Sequence, residues 1–287
     1  MKEKSELYKF LVSTRNLVSK MPKYNSKYSN KIYDNYQKII ILTLRQKIKM
    51  TYRGIVKFLR FSGLARSLLK LKSIPNHSTL VKFHKRISAN ELDSLLCKKY
   101  VKIVAIDGSG FETTYMSYYY ANAWNRQDKR KYRRYLKISI AICTDSQYIL
   151  SQKIRLGPRN DNLDFKRVMK NIKCKYVVAD KGYDSKKNRL FVLRNMNAYP
   201  HILYRKSSGA TYTNNGTKKV ICNKKIYHQR SKVEIVFSVI KRKYGSVILS
   251  KSFETQKKEL LIRLITYNID RKLIISLVIR GFHQSHF

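Results

Sequence analysis

The sequence is poor in acids. Its 287 residues hold 17 Asp or Glu against 62 Lys or Arg, a formal net charge of +45 at pH 7 with a pI near 10.2. Paired cysteines are missing too. Cys97, Cys143, Cys174 and Cys222 are isolated, with no C-x-x-C to clamp zinc or cycle redox, so buried free thiols are expected. Of the six histidines only His77 and His84 show any pairing, at i and i+7, which is too loose for a metal motif. The most apolar stretches, Ile39 to Leu44, Val101 to Ile106 and Leu273 to Ile279, fall far short of the roughly 20 residues a spanning helix needs. Met1 to Phe10 mixes charged with apolar residues and lacks the apolar run of a secretory signal, so a cytoplasmic protein is expected.

With 43% hydrophobic residues the chain can bury a sizeable core, as one large domain or two of ordinary size. A compact body with this excess of cations repels itself unless a polyanion neutralises it, which points to a phosphate backbone or an anionic membrane surface. A clean basic amphipathic helix with a wide apolar face is absent, which argues against the membrane. Biased codon usage would supply lysines, but it would not explain why acids are so few. Their scarcity makes each acid beside a strand or on a helix face a stronger site candidate.

Residues 1–90 carry 21 Lys or Arg and only Glu3, Glu6 and Asp34 as acids, a balance of +18, without the alternation of strands. A basic helical module is expected over 1–95. The spacing predicts a helix over Tyr36 to Lys47, a second over Tyr52 to Phe61 capped by Thr51 and broken at Ser62-Gly63, and a third short segment ended by Pro75. In a fourth, from Ser78, Leu80, Phe83 and Ile87 share one face while Lys82, Lys85 and Arg86 point to the other. Short helices with a basic outward face suit a helix-turn-helix that lays one helix into a DNA groove. The alternative is the ordinary solvated face of a small helical bundle.

Near residue 96 the pattern changes. Val101 to Ile106 is a β-branched run that stops at Asp107-Gly108-Ser109-Gly110, predicting a strand and a glycine turn. Tyr135 to Cys143 and Tyr148 to Arg155 predict two more strands, with Tyr115 to Trp124 as an excursion between the first two. A helix through Phe165, Val168, Met169 and Ile172 follows, then a buried strand Tyr176 to Ala179, a helix Lys186 to Asn195 and a strand Tyr199 to Tyr204. Residues 206–219 read as a loop or small hairpin, and two long helices, about Lys225 to Tyr244 and Gln256 to Arg280, close the chain. Three antiparallel strands, a helix, a strand, a helix, a strand and a final helix are the order of a ribonuclease-H-like α/β domain. That domain is expected over 96–250, preceded by the all-α module, with 251–287 as a C-terminal helix packing on it.

A two-metal phosphoryl-transfer site needs carboxylates from separate elements meeting at one point. Asp107 ends the first strand, Asp180 ends the fourth, and Glu234 lies in the helix after the fifth; strand ends are where an α/β sheet opens its crevice. Either aspartate alone reads more readily as a turn-former, and it is their combination with a helical acid in this chain order that points to a site. Asp161 and Asp184 compete for the second role, but one lies in a loop and the other follows a turn, and both suit helix caps. Tyr227, Arg230, Glu234 and Lys241 are spaced by three, four and seven, so on one helix they share a stripe beside the apolar face of Val233, Val236, Phe237 and Ile240. A surface ladder would explain the Arg230–Glu234 pair but not the presence of Tyr227 and Lys241 in the same stripe.

Tyr227-x2-Arg230-x3-Glu234-x6-Lys241 resembles the YREK signature of DDE transposases of the insertion-sequence four and five superfamily. Val104-Ala-Ile-Asp107-Gly-Ser-Gly resembles that family's first-aspartate strand, and Val178-Ala-Asp180-Lys-Gly-Tyr183-Asp184-Ser its second. Gly157-Pro-Arg-Asn160-Asp161 resembles the Asn-Asp segment between them. The resemblance implies that Asp107, Asp180 and Glu234 coordinate two Mg²⁺ or Mn²⁺ ions for cleavage and strand transfer of DNA. It implies further that Tyr227, Arg230 and Lys241 hold phosphates at the transposon end. The helical module, with Lys82, Lys85 and Arg86, would bind the terminal inverted repeats. Double-stranded DNA, as transposon ends and target, is the implied partner, with a homo-oligomer in the synaptic complex, no membrane, and a nucleoid-associated place in the cytoplasm. The competing readings are a non-catalytic DNA-binding regulator, such as a domesticated transposase, and a nuclease on the ribonuclease-H fold.

Overall fold

The computed structural model describes residues 5–96, 100–113, 135–157, 160–203 and 223–284. The expectations for Tyr115 to Trp124, for residues 206–219, and for Cys97 and Cys222 lie outside them. The chain forms two compact units, one of Met1–Leu96, Arg242–Gly245 and Ser250–Phe287, the other of Cys97–Lys241 and Ser246–Leu249.

The first unit is helical. Its elements are α1 (Glu6–Val18), α2 (Asn35–Lys47), α3 (Tyr52–Phe61), α4 (Gly63–Leu69), α5 (His77–Arg86), α6 (Ala89–Asp93) and α11 (Phe253–Gln284). Each start is set locally by a side-chain cap: Ser5, Asp34, Thr51, Ser62, Asn76 and Ser88 each accept a backbone N–H of the first turn. Such a cap contributes about 1 kcal/mol. Helix α2 carries the run Ile39 to Leu44, and every residue of that run is buried, as an apolar run that covers the whole circumference of a helix must be. On α5, Leu80 and Phe83 are buried whereas Lys82, Lys85 and Arg86 are exposed, the two faces read from the spacing. The third short segment ends earlier than Pro75, at Lys70, whose backbone turns left-handed with φ 50°.

Segment 251–287 was expected to pack on the catalytic domain. Instead it groups with the helical unit, where α11 meets α1, α2, α5 and α6. The reason lies in its composition. Leu260, Leu261, Ile262, Leu264 and Ile265 are consecutive or nearly so and all are buried, so the helix needs apolar neighbours around most of its circumference, and the helical module supplies them.

The second unit is a mixed α/β body on one sheet: β1 (Val101–Thr113), β2 (Tyr135–Cys143), β3 (Ile149–Leu156), β4 (Cys174–Ala179), β5 (Tyr199–Ile202) and β6 (Val247–Ile248). The order is β3-β2-β1-β4-β5, with β6 pairing β1. β1–β2 and β2–β3 are antiparallel, while β1–β4 and β4–β5 are parallel. The other elements are α7 (Asn162–Met169), α8 (Lys186–Leu190), α9 (Lys224–Tyr227) and α10 (Ser231–Tyr244). Val104, Ile106, Ala141, Cys143, Val177 and Ala179 face Phe165, Val168 and Met169 in one core.

Two expectations need correction. β1 does not stop at Asp107 but runs on through Gly108 and Gly110 to Thr113, because β2 continues to pair with it as far as Tyr135. The helix expected over Lys225 to Tyr244 is interrupted by a 3₁₀ turn, His228–Arg230, so Tyr227, Arg230 and the pair Glu234 and Lys241 stand on three successive elements. Cys143 and Cys174 are buried free thiols, as expected.

Candidate active site

The parallel register of β1 and β4 places Ile106 beside Ala179, where β4 ends. Asp107 and Asp180 are the next residues on the two strands, so both sit where the sheet opens beyond β4. Val233, Val236, Phe237 and Ile240 of α10 are buried, and this apolar face fixes how Glu234 is presented at the helix start.

Arg230 connects the acids. Its Nη1 lies 2.7 Å from Glu234 Oε1 and 3.8 Å from Asp107 Oδ2. Asp107 Oδ1 accepts the backbone N–H of Gly108 at 2.8 Å. Burial pushes the Asp107 carboxyl up to about 6; the Gly108 N–H and Arg230 pull the other way, and Glu234 and Asp180 add to the rise. Arg230 is itself held above its ordinary value, since Glu234, Asp180 and Tyr227 outweigh its burial. The site is therefore a concentration of negative charge that needs a cation, and here a guanidinium supplies it.

Three carboxylates provide the hard oxygen donors that Mg²⁺ and Mn²⁺ take. Among the described residues, no three His, Cys, Asp or Glu side chains are gathered closely enough to hold an ion. The oxygen-donor chemistry of Asp107, Asp180 and Glu234 would suit a divalent cation.

The remaining residues of the four-residue signature are placed differently. Tyr227 ends α9, within electrostatic reach of Arg230. Lys241 sets its Nζ over the buried ring of Phe111 at 5.3 Å, about 10.5 Å of helical rise beyond Glu234. Lys82, Lys85 and Arg86 belong to the helical unit.

Asp161 and Asp184 also differ from expectation. Asp184 closes the 3₁₀ turn Lys181–Tyr183 and pairs with the buried Arg189 at 2.9 Å, which ties it to the fold. Asp161 precedes α7 but makes no side-chain cap. It forms an ion pair with Lys137 and lies 3.8 Å from Arg155. Behind it, Arg155 Nε donates to the buried Asp164 at 2.6 Å, and Ser139 Oγ donates to the same carboxylate at 3.2 Å. A Cβ on Gly108 would meet Asp161 Oδ1 at 3.2 Å and Lys137 Cε at 3.4 Å. A side chain at this point of β1 would have to push aside an ion pair that lies against the backbone.

Sequence reasoning missed Lys137 and Arg155. For Lys137 a signal was present: Lys137, Ser139, Ala141 and Cys143 alternate on one face of β2, and the first two, being polar, break the apolar pattern of that face.

A family model described as the transposase DDE domain matches residues 102–269, more than half of the chain. No curated protein matches it. Among solved structures it is similar to a piggyBac transposase synaptic complex with hairpin DNA, determined by cryo-EM, at a TM-score of 0.47 and 11% identity over 96% of this chain and 74% of that one. The family match spans the strands that carry Asp107 and Asp180 and the helix that carries Glu234, and the chain belongs to the transposase DDE domain family.

Proposed function

We propose that this transposase binds the terminal inverted repeats of an insertion sequence and catalyses metal-dependent strand cleavage and strand transfer. The observation that carries the reading is the meeting of Asp107 and Glu234 on Arg230 where β4 ends, with Asp180 alongside. Asp107, Asp180 and Glu234 would hold two Mg²⁺ or Mn²⁺ ions, which supply activation of a water or 3′-hydroxyl and stabilisation of the leaving oxygen. The chain's own groups do the positioning. Arg230, released from its carboxylates, offers a planar fork to a phosphate; Lys241, braced on Phe111, offers a point charge further along α10; Tyr227 adds a hydroxyl beside them. Lys137 is held by Asp161 at the Gly108 side of β1.

The sheet order and its mix of antiparallel and parallel pairs support a ribonuclease-H-like assignment for the second unit. The exposed basic face of α5 supports a helix-turn-helix-like role for the first, with Lys82, Lys85 and Arg86 meeting DNA phosphates. Double-stranded DNA is the partner, and a homo-oligomer would bring two ends together. The test uses purified protein, Mg²⁺ and DNA carrying the ends of its own element. Nicking and joining are expected, lost in Asp180→Asn and on chelation, with DNA binding intact in the variant. Cleavage retained by Asp180→Asn would sink the assignment.

A further inference from the structure

The helical unit contains a basic cavity that no step above uses. A hollow of about 770 Å³ opens between α1, the segment that joins it to α2, and the end of α4. Five cations line it: Arg15, Lys23, Lys31, Lys70 and Lys72. The one acid in the lining, Asp34, is engaged as the N-cap of α2, its Oδ1 accepting the Gln37 backbone N–H at 2.7 Å. Lys31, Lys70 and Lys72 are exposed and form no ion pair among the described residues.

Gathering so many like charges around one concavity is unfavourable unless an anion enters it. Two neutral donors of the wall are already committed to the wall itself. Gln37 Nε2 donates to the carbonyls of Leu69 at 3.0 Å and Lys70 at 3.2 Å, and Tyr36 Oη donates to the Met21 carbonyl at 2.8 Å. These bonds help to fix the hollow's shape, and the exposed ammonium groups of Lys31, Lys70 and Lys72 stand open around it. Lys70 stands at φ 50°, a left-handed C-cap where glycine would close α4 without strain, yet the residue present is a cation. Tyr24 carries the Lys23 ammonium over its ring at 5.7 Å, which adds to the charge presented at the hollow.

We infer that this cavity is a second DNA contact, which grips the phosphodiester backbone of a duplex without reading its sequence. It rests on the reading of the chain as a DNA transposase, and it adds a site apart from the basic face of α5. Binding of the full-length protein to a labelled duplex is measured by fluorescence anisotropy between about 50 and 200 mM salt. The probes are a duplex carrying the element's end and a scrambled duplex of equal length. For Lys31→Ala/Lys70→Ala/Lys72→Ala the log–log salt slope should fall by about 2.7, since each phosphate contact contributes about 0.9. The fall should be the same on both duplexes.

Because all three lysines are exposed, the variant should keep the wild-type melting curve. Arg53→Ala/Lys57→Ala/Arg60→Ala removes equal charge from the outward face of α3 as a control. An unchanged slope in the cavity variant overturns the site, as does an equal fall in the control, which would make the effect one of net charge. A fall confined to the element's end would overturn the backbone reading. Failure of the wild type to bind either duplex would instead remove the transposase reading beneath it.

Discussion

Replacing Arg230 by Gln should tighten divalent-ion binding while slowing DNA cleavage. In the structure the guanidinium lies 2.7 Å from Glu234 and 3.8 Å from Asp107, and any ion shared by those acids must displace it. At an effective dielectric of about 20, opposite charges about 4 Å apart attract by roughly 4 kcal/mol, which is an upper bound. Glu234 is half exposed, so screening reduces each contact to about 1 kcal/mol or less. Losing both contacts therefore removes about 1–2 kcal/mol of competition, a factor of roughly 5–30 in affinity. The assay is a Mn²⁺ titration of DNA-free protein followed by electron paramagnetic resonance. Arg230→Gln should lower the Kd by that factor, Arg230→Lys by less, and Glu234→Gln should raise it. Strand cleavage by Arg230→Gln should still be slower, because the phosphate fork is gone. Equal or weaker Mn²⁺ binding in Arg230→Gln would refute the view that the arginine holds the ion's place.

Other outcomes follow from the same structure. His84 is buried, its Nδ1 2.9 Å from the Tyr52 hydroxyl, and burial, aided by Arg45, lowers it to about 4. A depressed histidine costs stability as pH falls from about 6.5 towards 4, here by about 3 kcal/mol in all; urea midpoints across that window should fall in the wild type and stay flatter in His84→Gln. Lys47 bridges Glu6 at 2.7 Å and the buried Asp270 at 2.8 Å. Lys47→Ala leaves Asp270 buried with a hydroxyl partner, Tyr244, but no cation, and should cost about 3 kcal/mol in thermal unfolding. Gly108→Ala pushes the Lys137–Asp161 ion pair aside; both side chains can yield, so stability should change by less than about 1 kcal/mol while cleavage falls severalfold. A Gly108→Ala protein as active as the wild type would show that the ion pair has no part in the chemistry.

Much of the fold was legible because its signals are local. Thr51 caps α3 as read, and the apolar spacing of Leu80 and Phe83 set the inner face of α5. Tyr135 to Cys143 alternates as a strand and is one over that same span. What escaped depended on partners distant in sequence. The glycines after Asp107 look like a turn, but β2 keeps pairing past them, and the missing side chain of Gly108 leaves room for an ion pair from β2 and the α7 entrance. The continuous stripe of Tyr227, Arg230, Glu234 and Lys241 was likewise an idealisation. A 3₁₀ turn changes the rotation between its members, aiming Arg230 at Asp107 while Lys241 rests on Phe111.

The sequence by itself determined the charge of this protein, the scarcity of acids that singles out Asp107, Asp180 and Glu234, the starts of its helices and the alternation of its strands. All of these follow from side-chain chemistry and from periods of two or 3.6 residues. Only the tertiary structure decided that an arginine stands where the acids meet, that Asp161 serves Lys137 and not a helix end, and that the last helix joins the first six. Those outcomes depend on which surfaces are left to bury and which charges are left to neutralise once the elements have packed, and no local pattern encodes that.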